Sequence, residues 1–157
     1  GHNIDPAMIE NAISSHPAVS IAAAVGIPDI YAGELPICFV ELLPDCNISE
    51  KELLNHAKKL INERPAWPKI IKIIDKIPLT TVGKIFKPQL RCLATKLKVV
   101  DLLKTEFGID NANINVNMGG TKGIVVSIKL AKSNNNFIGK IESTLANFTF
   151  ESKVQVN

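Results

Sequence analysis

The sequence predicts an α+β protein: a small central sheet flanked by helices, then a second small α+β unit ordered helix–strand–strand–helix–strand. Three observations carry this. Short β-branched runs alternate with stretches of helical periodicity. Proline, glycine and aspartate punctuate the joins between them. The composition changes near residue 94, with asparagines gathered beyond it. Two domains are therefore expected, residues 1–94 and residues 95–157, and a chain of 157 residues is long enough for two small ones.

The first domain opens on a helix. Asp5 is placed as an N-cap, and Pro6 follows at the first helical position, where a missing N–H costs nothing. Met8, Ile9, Ala12 and Ile13 share one face, and Pro17 stops the helix near His16. Residues 19–27 are apolar and β-branched, a buried strand ending at Pro28. Residues 28–36, with Asp29, Gly33 and Pro36, read as a loop, and residues 37–43 as a second strand. Ser49 and Glu52 stand at capping-box spacing before Leu53, Leu54, Ala57, Leu60 and Ile61, a helix closed by Arg64-Pro65. Residues 70–74 are a third strand, residues 80–83 a polar loop, and residues 87–93 irregular or helical.

In the second domain residues 97–107 repeat apolar positions at helical spacing, with Gly108 as C-cap. Ile114, Val116 and Met118 alternate with asparagines, a half-buried strand. Gly119-Gly120 signals a hairpin, lengthened by residues 121–123, and residues 124–130 form the partner strand. A helix over residues 137–145 and a strand over 148–156 complete an order that suggests a truncated ferredoxin-like arrangement. Gly119-Gly120-Thr121-Lys122-Gly123 echoes a phosphate loop. It lacks the GxxxxGK[ST] order and lies between strands, so a hairpin turn is the better reading.

Composition narrows the function classes. The residues are 46% hydrophobic and 21% charged, which is ordinary for a globular protein. A net charge of +3 is spread along the chain, and with no nucleic-acid motif present, no nucleic-acid partner is expected. Cys38, Cys46 and Cys92 show no CxxC spacing and no His at a ligand offset, so neither a disulfide framework nor a metal site is expected. The start GHNIDPAM has neither the basic nor the apolar part of a signal peptide, and no run is long enough to span a membrane. A cytoplasmic location is expected, peripheral membrane association remaining compatible with it. Trp67, between Pro65 and Pro68, reads as packing against the edge of the core.

The chemistry concentrates in residues 77–87, Ile-Pro-Leu-Thr-Thr-Val-Gly-Lys-Ile-Phe-Lys. Lys84 follows Gly83 at the tip of a loop that leaves a strand. Gly83 can adopt backbone angles closed to other residues. A lysine so placed is a mobile point charge with three donors, suited to phosphate or carboxylate oxygens. Taken alone, the pattern also fits a solvated surface lysine.

Pro78, Thr80, Thr81, Gly83, Lys84 and Lys87 together resemble the last core motif of the adenylate-forming superfamily, which includes acyl-CoA synthetases, peptide-synthetase adenylation domains and luciferases. Gly1-His2-Asn3-Ile4 resembles the end of that family's hinge motif. Asp29 to Pro36, with Gly33-Glu34, resembles the loop between its two strands. The three stand in the family's order over residues 1–92. The phrases GHNIDP, YAGELP and GKIFKP are most similar to bacterial fatty-acyl-CoA synthetases.

The resemblance implies the mobile C-terminal domain of an enzyme that turns a carboxylate and ATP, with Mg2+, into acyl-AMP and then passes the acyl group to coenzyme A. It makes Lys84 the catalytic lysine of adenylation, stabilising developing charge rather than acting as a base. Gly83 and Lys87 would support it. Gly1, His2 and Asn3 would line the thiol tunnel, although Gly1-His2 also reads as an expression remnant. Gly33 and Glu34 either dock on the larger domain or form a plain turn in which Gly33 supplies a positive φ. The nucleotide and acyl pockets of the family belong to a large N-terminal domain that this sequence lacks, so the chain is expected to be an inactive fragment whose first partner is that domain. The carboxylic substrate would be a fatty acid, and the rival acceptor an acyl carrier protein. From another class, the chain could be a non-catalytic binding or oligomerisation module. Residues 95–157 are expected to be an appendage; they lack a carrier domain's serine and the paired aromatics of an RNA-binding sheet.

Overall fold

The computed structural model describes residues 4–157. They divide into two compact units, one reaching to residue 27 and resuming over 35–90, the other comprising 28–34 and 91–157. The line between them crosses a helix at Leu90 and Arg91.

In the first unit, α1 (Pro6–Ser14) starts as the sequence requires, the Asp5 carboxylate accepting the Ala7 N–H at 3.0 Å. Strands β1 (Val19–Asp29) and β2 (Gly33–Leu42) are hydrogen-bonded neighbours joined by three residues, a connection that only an antiparallel hairpin can make. Helix α2 (Glu50–Leu60) is capped by Ser49 Oγ, which accepts the Glu52 N–H at 3.1 Å. Strand β3 (Ile70–Ile73) runs parallel to β2, with Ile37 beside Ile70 and Val40 beside Ile73.

Ile9 and Ile13 of α1 and Leu53 and Ala57 of α2 pack with Ala22, Ala24, Cys38 and Val40 of the sheet. The alternate residues Ala23, Val25, Ile37 and Phe39 are just as buried, so both faces of β1 and β2 are covered. Each large core side chain contributes about 1.5–3 kcal/mol by leaving water.

Two boundaries correct the sequence reading. Pro28 and Pro36, expected in a loop, lie inside strands. Strand β1 is an edge strand, where proline is tolerated, and Pro36 precedes the first residue paired with β3 while its carbonyl accepts the Lys69 N–H. Helix α2 stops at Leu60, short of Arg64-Pro65; the Ile61 carbonyl instead accepts the Trp67 indole N–H at 2.8 Å.

Helix α3 (Lys87–Phe107) is one continuous element of 21 residues. The sequence placed a composition change near residue 94 and left residues 87–93 irregular or helical; they are helical, and Thr95 sits in mid-helix and is buried. Its hydroxyl is satisfied by donating to the Arg91 carbonyl at 2.9 Å. Gly108 ends the helix at φ 66°, its N–H bonded to Lys104 O.

In the second unit β4 (Asn113–Gly119) and β5 (Gly123–Leu130) form the expected hairpin. A short 3-10 turn and α4 (Ile138–Leu145) then lead to β6 (Glu151–Val156), which pairs parallel to β5. Ile114, Val126, Ile128 and Leu130 pack with Leu103, Ile141, Leu145 and Phe148, while Asn113, Asn115 and Asn117 are exposed on the opposite face. The element order fits a truncated ferredoxin-like unit. The sheet order β4-β5-β6 does not, because β5 and β6 pair directly and leave no place for a strand between them.

Candidate functional site

Residues 78–86 close into a tight hairpin. Leu79 and Ile85 pair antiparallel, and the Phe86 N–H bonds Pro78 O at 2.8 Å. The Gly83 N–H bonds Thr80 O at 2.9 Å, and the Thr80 N–H bonds Lys84 O at 2.6 Å. This is a three-residue hairpin loop in which the last loop residue must be left-handed. Gly83 meets that need at φ 83°. Thr80 adds a lock, its Oγ1 accepting the Lys84 N–H at 3.1 Å. The backbone of Lys84 is thus held from both sides, while its side chain is exposed and has no ion-pair partner among the described residues.

Two acidic side chains tie the hairpin to the fold. At its entry, the Glu41 carboxylate accepts the Ile77 N–H at 2.8 Å. At its exit, Lys87 Nζ lies 3.0 Å from Glu10 Oε2, and the same oxygen accepts the Ala24 N–H at 2.9 Å. Sequence reasoning missed both Glu10 and Glu41, because each acts on a segment remote in sequence and neither belongs to a local pattern. Gly83, Lys84 and Lys87 are therefore brought together, Lys84 projecting and Lys87 anchored.

Gly33 and Glu34 stand on a separate hairpin, both exposed. Asp29 accepts the N–H groups of Tyr31 and Ala32 at 3.0 and 2.8 Å, and Gly33 takes φ 80°. These contacts account for Asp29 and Gly33 as turn residues; none involves the Glu34 side chain. Gly1, His2 and Asn3 lie outside the described residues.

Two of the three cysteines are held in the thiol form. Burial, reinforced by the nearby Glu10 charge, pushes the Cys38 thiol up to about 12. Burial also raises Cys92. Among the described residues no group of three or more His, Cys, Asp or Glu could hold a metal, and no helix is long and apolar enough to cross a membrane. The loop over Gly120, Thr121 and Lys122 does hold an anion, but an internal one. The Glu151 carboxylate accepts the Thr121 N–H at 2.7 Å and the Thr121 hydroxyl, which holds its pKa below the usual carboxylate range.

The profile of the AMP-binding enzyme C-terminal domain matches residues 8–84, from α1 to the projecting lysine. Residues 8–84 belong to that family. The chain is 40% identical over 131 residues to a marinolic acid–CoA ligase of Pseudoalteromonas sp., covering 83% of this chain and 20% of that protein. It is 38% identical over 117 residues to an acetyl-coenzyme A synthetase of Pyrobaculum arsenaticum, covering 71% and 17%. Among solved structures, a Brucella canis acyl-CoA synthetase aligns with a TM-score of 0.57 at 35% identity, covering 62% of this chain and 18% of that one. A Mycobacterium tuberculosis fatty acyl CoA synthetase aligns with a TM-score of 0.54 at 33% identity, covering 58% and 18%. The chain thus spans about a fifth of the length of these relatives. An 83% share cannot be placed on this chain without taking in β4, so the likeness extends into the second unit, beyond the reach of the sequence motifs.

Proposed function

We propose that this chain is the C-terminal part of an ATP-dependent acyl-CoA synthetase and that Lys84 is its adenylation lysine. The supporting observation is a lysine whose backbone is locked by Thr80 and Gly83 while its ammonium has no ion-pair partner among the described residues. The family match over residues 8–84 and the CoA-ligase relatives supply the reaction class. A fixed hairpin that presents a cation suits the meeting of two anions: it offsets the repulsion between the attacking carboxylate and the phosphate, and the negative charge that builds on the phosphate oxygens as the acyl–phosphate bond forms. In this reading Lys84 orients and neutralises those oxygens. Glu41 and Glu10 hold the two ends of its hairpin. ATP, Mg2+ and coenzyme A are bound mainly by a large N-terminal domain. Fatty acids as the substrate class and a role for Gly1, His2 and Asn3 beside the thiol path belong to the same proposal.

The test is made on the complete enzyme by separating the two half-reactions. Lys84→Ala should lower carboxylate-dependent ATP–pyrophosphate exchange by about 10²–10³, the typical worth of one transition-state contact. Transfer from preformed acyl-adenylate to coenzyme A should persist. Equal loss in both half-reactions would overturn the role given to Lys84.

A further inference from the structure

We propose that the free edge of β4 is a self-association surface, through which two copies of this chain join β4 to β4, antiparallel about Asn115, into one continuous sheet. Strand β4 ends the order β4-β5-β6, so one row of its N–H and C=O groups has no strand partner among the described residues. Proteins usually guard such edges with lysine, proline, a bulge or an inward charge. Strand β4 has none of these. Residues 111–121 contain no charged residue and no proline, and the register from Asn113 beside Lys129 to Gly119 beside Gly123 is unbroken. The other edge is guarded, since β6 carries Glu151 and Lys153 within its six residues.

The pattern of β4 is also self-complementary. A two-fold axis at Asn115 sets Asn113 against Asn117 of the second copy, Asn115 against its own equivalent, and Ile114 against Val116. Amide faces amide on one side of the sheet, and each side-chain amide has both donors and an acceptor to offer. Apolar faces apolar on the other side, where Met118 is 54% exposed and Val116 half-buried. The helical layers of the two copies fall on the same side, as a closed isologous dimer requires. No like charges meet anywhere along the joint.

Sedimentation of the whole chain from about 1 to about 100 μM tests this, a range that brackets micromolar affinity. The wild-type chain should pass from monomer to dimer, and amide exchange along β4 should slow as concentration rises. Asn115→Lys sets two ammonium groups across the axis and should weaken the dimer about tenfold or more, with circular dichroism and melting unchanged. Asn115→Asp should act alike with the opposite charge, which covers a failure of the first variant to fold. Gln155→Lys on the guarded edge should leave the dimer intact. A chain monomeric throughout the range would overturn the proposal. So would a dimer untouched by both folded Asn115 variants. A monomer whose β4 amides are already protected would overturn it too, because another segment would then occupy the edge.

Discussion

Glu10 Oε2 lies 3.0 Å from Lys87 Nζ and at the same time accepts the Ala24 N–H at 2.9 Å. One carboxylate thereby links α1, β1 and the first residue of α3, immediately after the Lys84 hairpin. Both side chains are largely sheltered, at 20% and 28% exposure, so the pair is less screened than a surface ion pair. Glu10→Gln keeps an oxygen for Ala24 and loses the charge, and should cost about 1 kcal/mol. Glu10→Ala also strands the buried Ala24 N–H and should cost about 2 kcal/mol. Urea unfolding of Glu10→Ala, Lys87→Met and the double variant measures the coupling. Strict additivity would show that the contact contributes nothing.

Gly83→Ala isolates the backbone requirement of the hairpin. A Cβ at Gly83 meets nothing within 4 Å, so the only penalty is the left-handed φ of 83°. That penalty is about 1–2 kcal/mol for a residue with a side chain. The hairpin should loosen locally, with the amide signals of Thr80 and Lys84 shifting and exchanging faster. On the role proposed for Lys84, adenylation by the complete enzyme should fall although Lys84 is still present. An unchanged amide spectrum would show that the loop tolerates the strain and that Gly83 is not needed for its shape.

Much of this site was legible in the sequence because its determinants are local. Asp5 before Pro6, Ser49 before Glu52, and Thr80 with Gly83 around a polar tip each act within a few residues, and each does in the structure what the spacing suggests. What escaped was non-local. Nothing near Glu10 or Glu41 marks them as anchors, because their partners are 77 and 36 residues away. Helix α3 escaped for a different reason. The composition changes near residue 94 while the backbone does not, since Thr95 can satisfy its hydroxyl within the helix. Pro36 escaped because a proline harms a strand only where a neighbour needs its N–H, and pairing with β3 begins one residue later.

The cysteines should separate cleanly by reactivity. Cys46 is exposed, whereas Cys38 is fully buried with its thiol pushed up to about 12. Thiolate is the reactive form, so Cys38 should resist alkylation at mildly alkaline pH until the fold opens. Mass spectrometry after brief labelling should find Cys46 modified first and Cys38 unmodified. Cys46→Ser should remove the fast phase. Rapid labelling of Cys38 in the folded chain would mean that the sheet opens locally far below the global unfolding free energy.

Glu151 gives the second unit a defined acid sensitivity. Its carboxylate is held by the N–H and hydroxyl of Thr121, with the Lys122 backbone and charge adding to the effect, and its pKa is lowered from 4.5. A carboxyl whose pKa is lower in the folded chain binds protons more readily when unfolded. Its stabilisation is therefore present above the unfolded value and disappears as the pH falls through the lower, folded value. Glu151→Gln should destabilise the chain at neutral pH, and the gap from wild type should narrow as the pH drops below about 4.5. Gly120→Ala offers a second route to the same end. Its Cβ would approach Glu151 Oε2 to 2.5 Å at a φ of 67°, displacing the carboxylate from the loop, so it should flatten the same part of the pH profile. Melting temperatures from neutral pH down to about pH 3, at constant ionic strength, decide the matter. A gap between wild type and Glu151→Gln that stays constant across that window would mean that the Thr121 contacts do not favour the ionised carboxylate, and the clamp would then be one of shape alone.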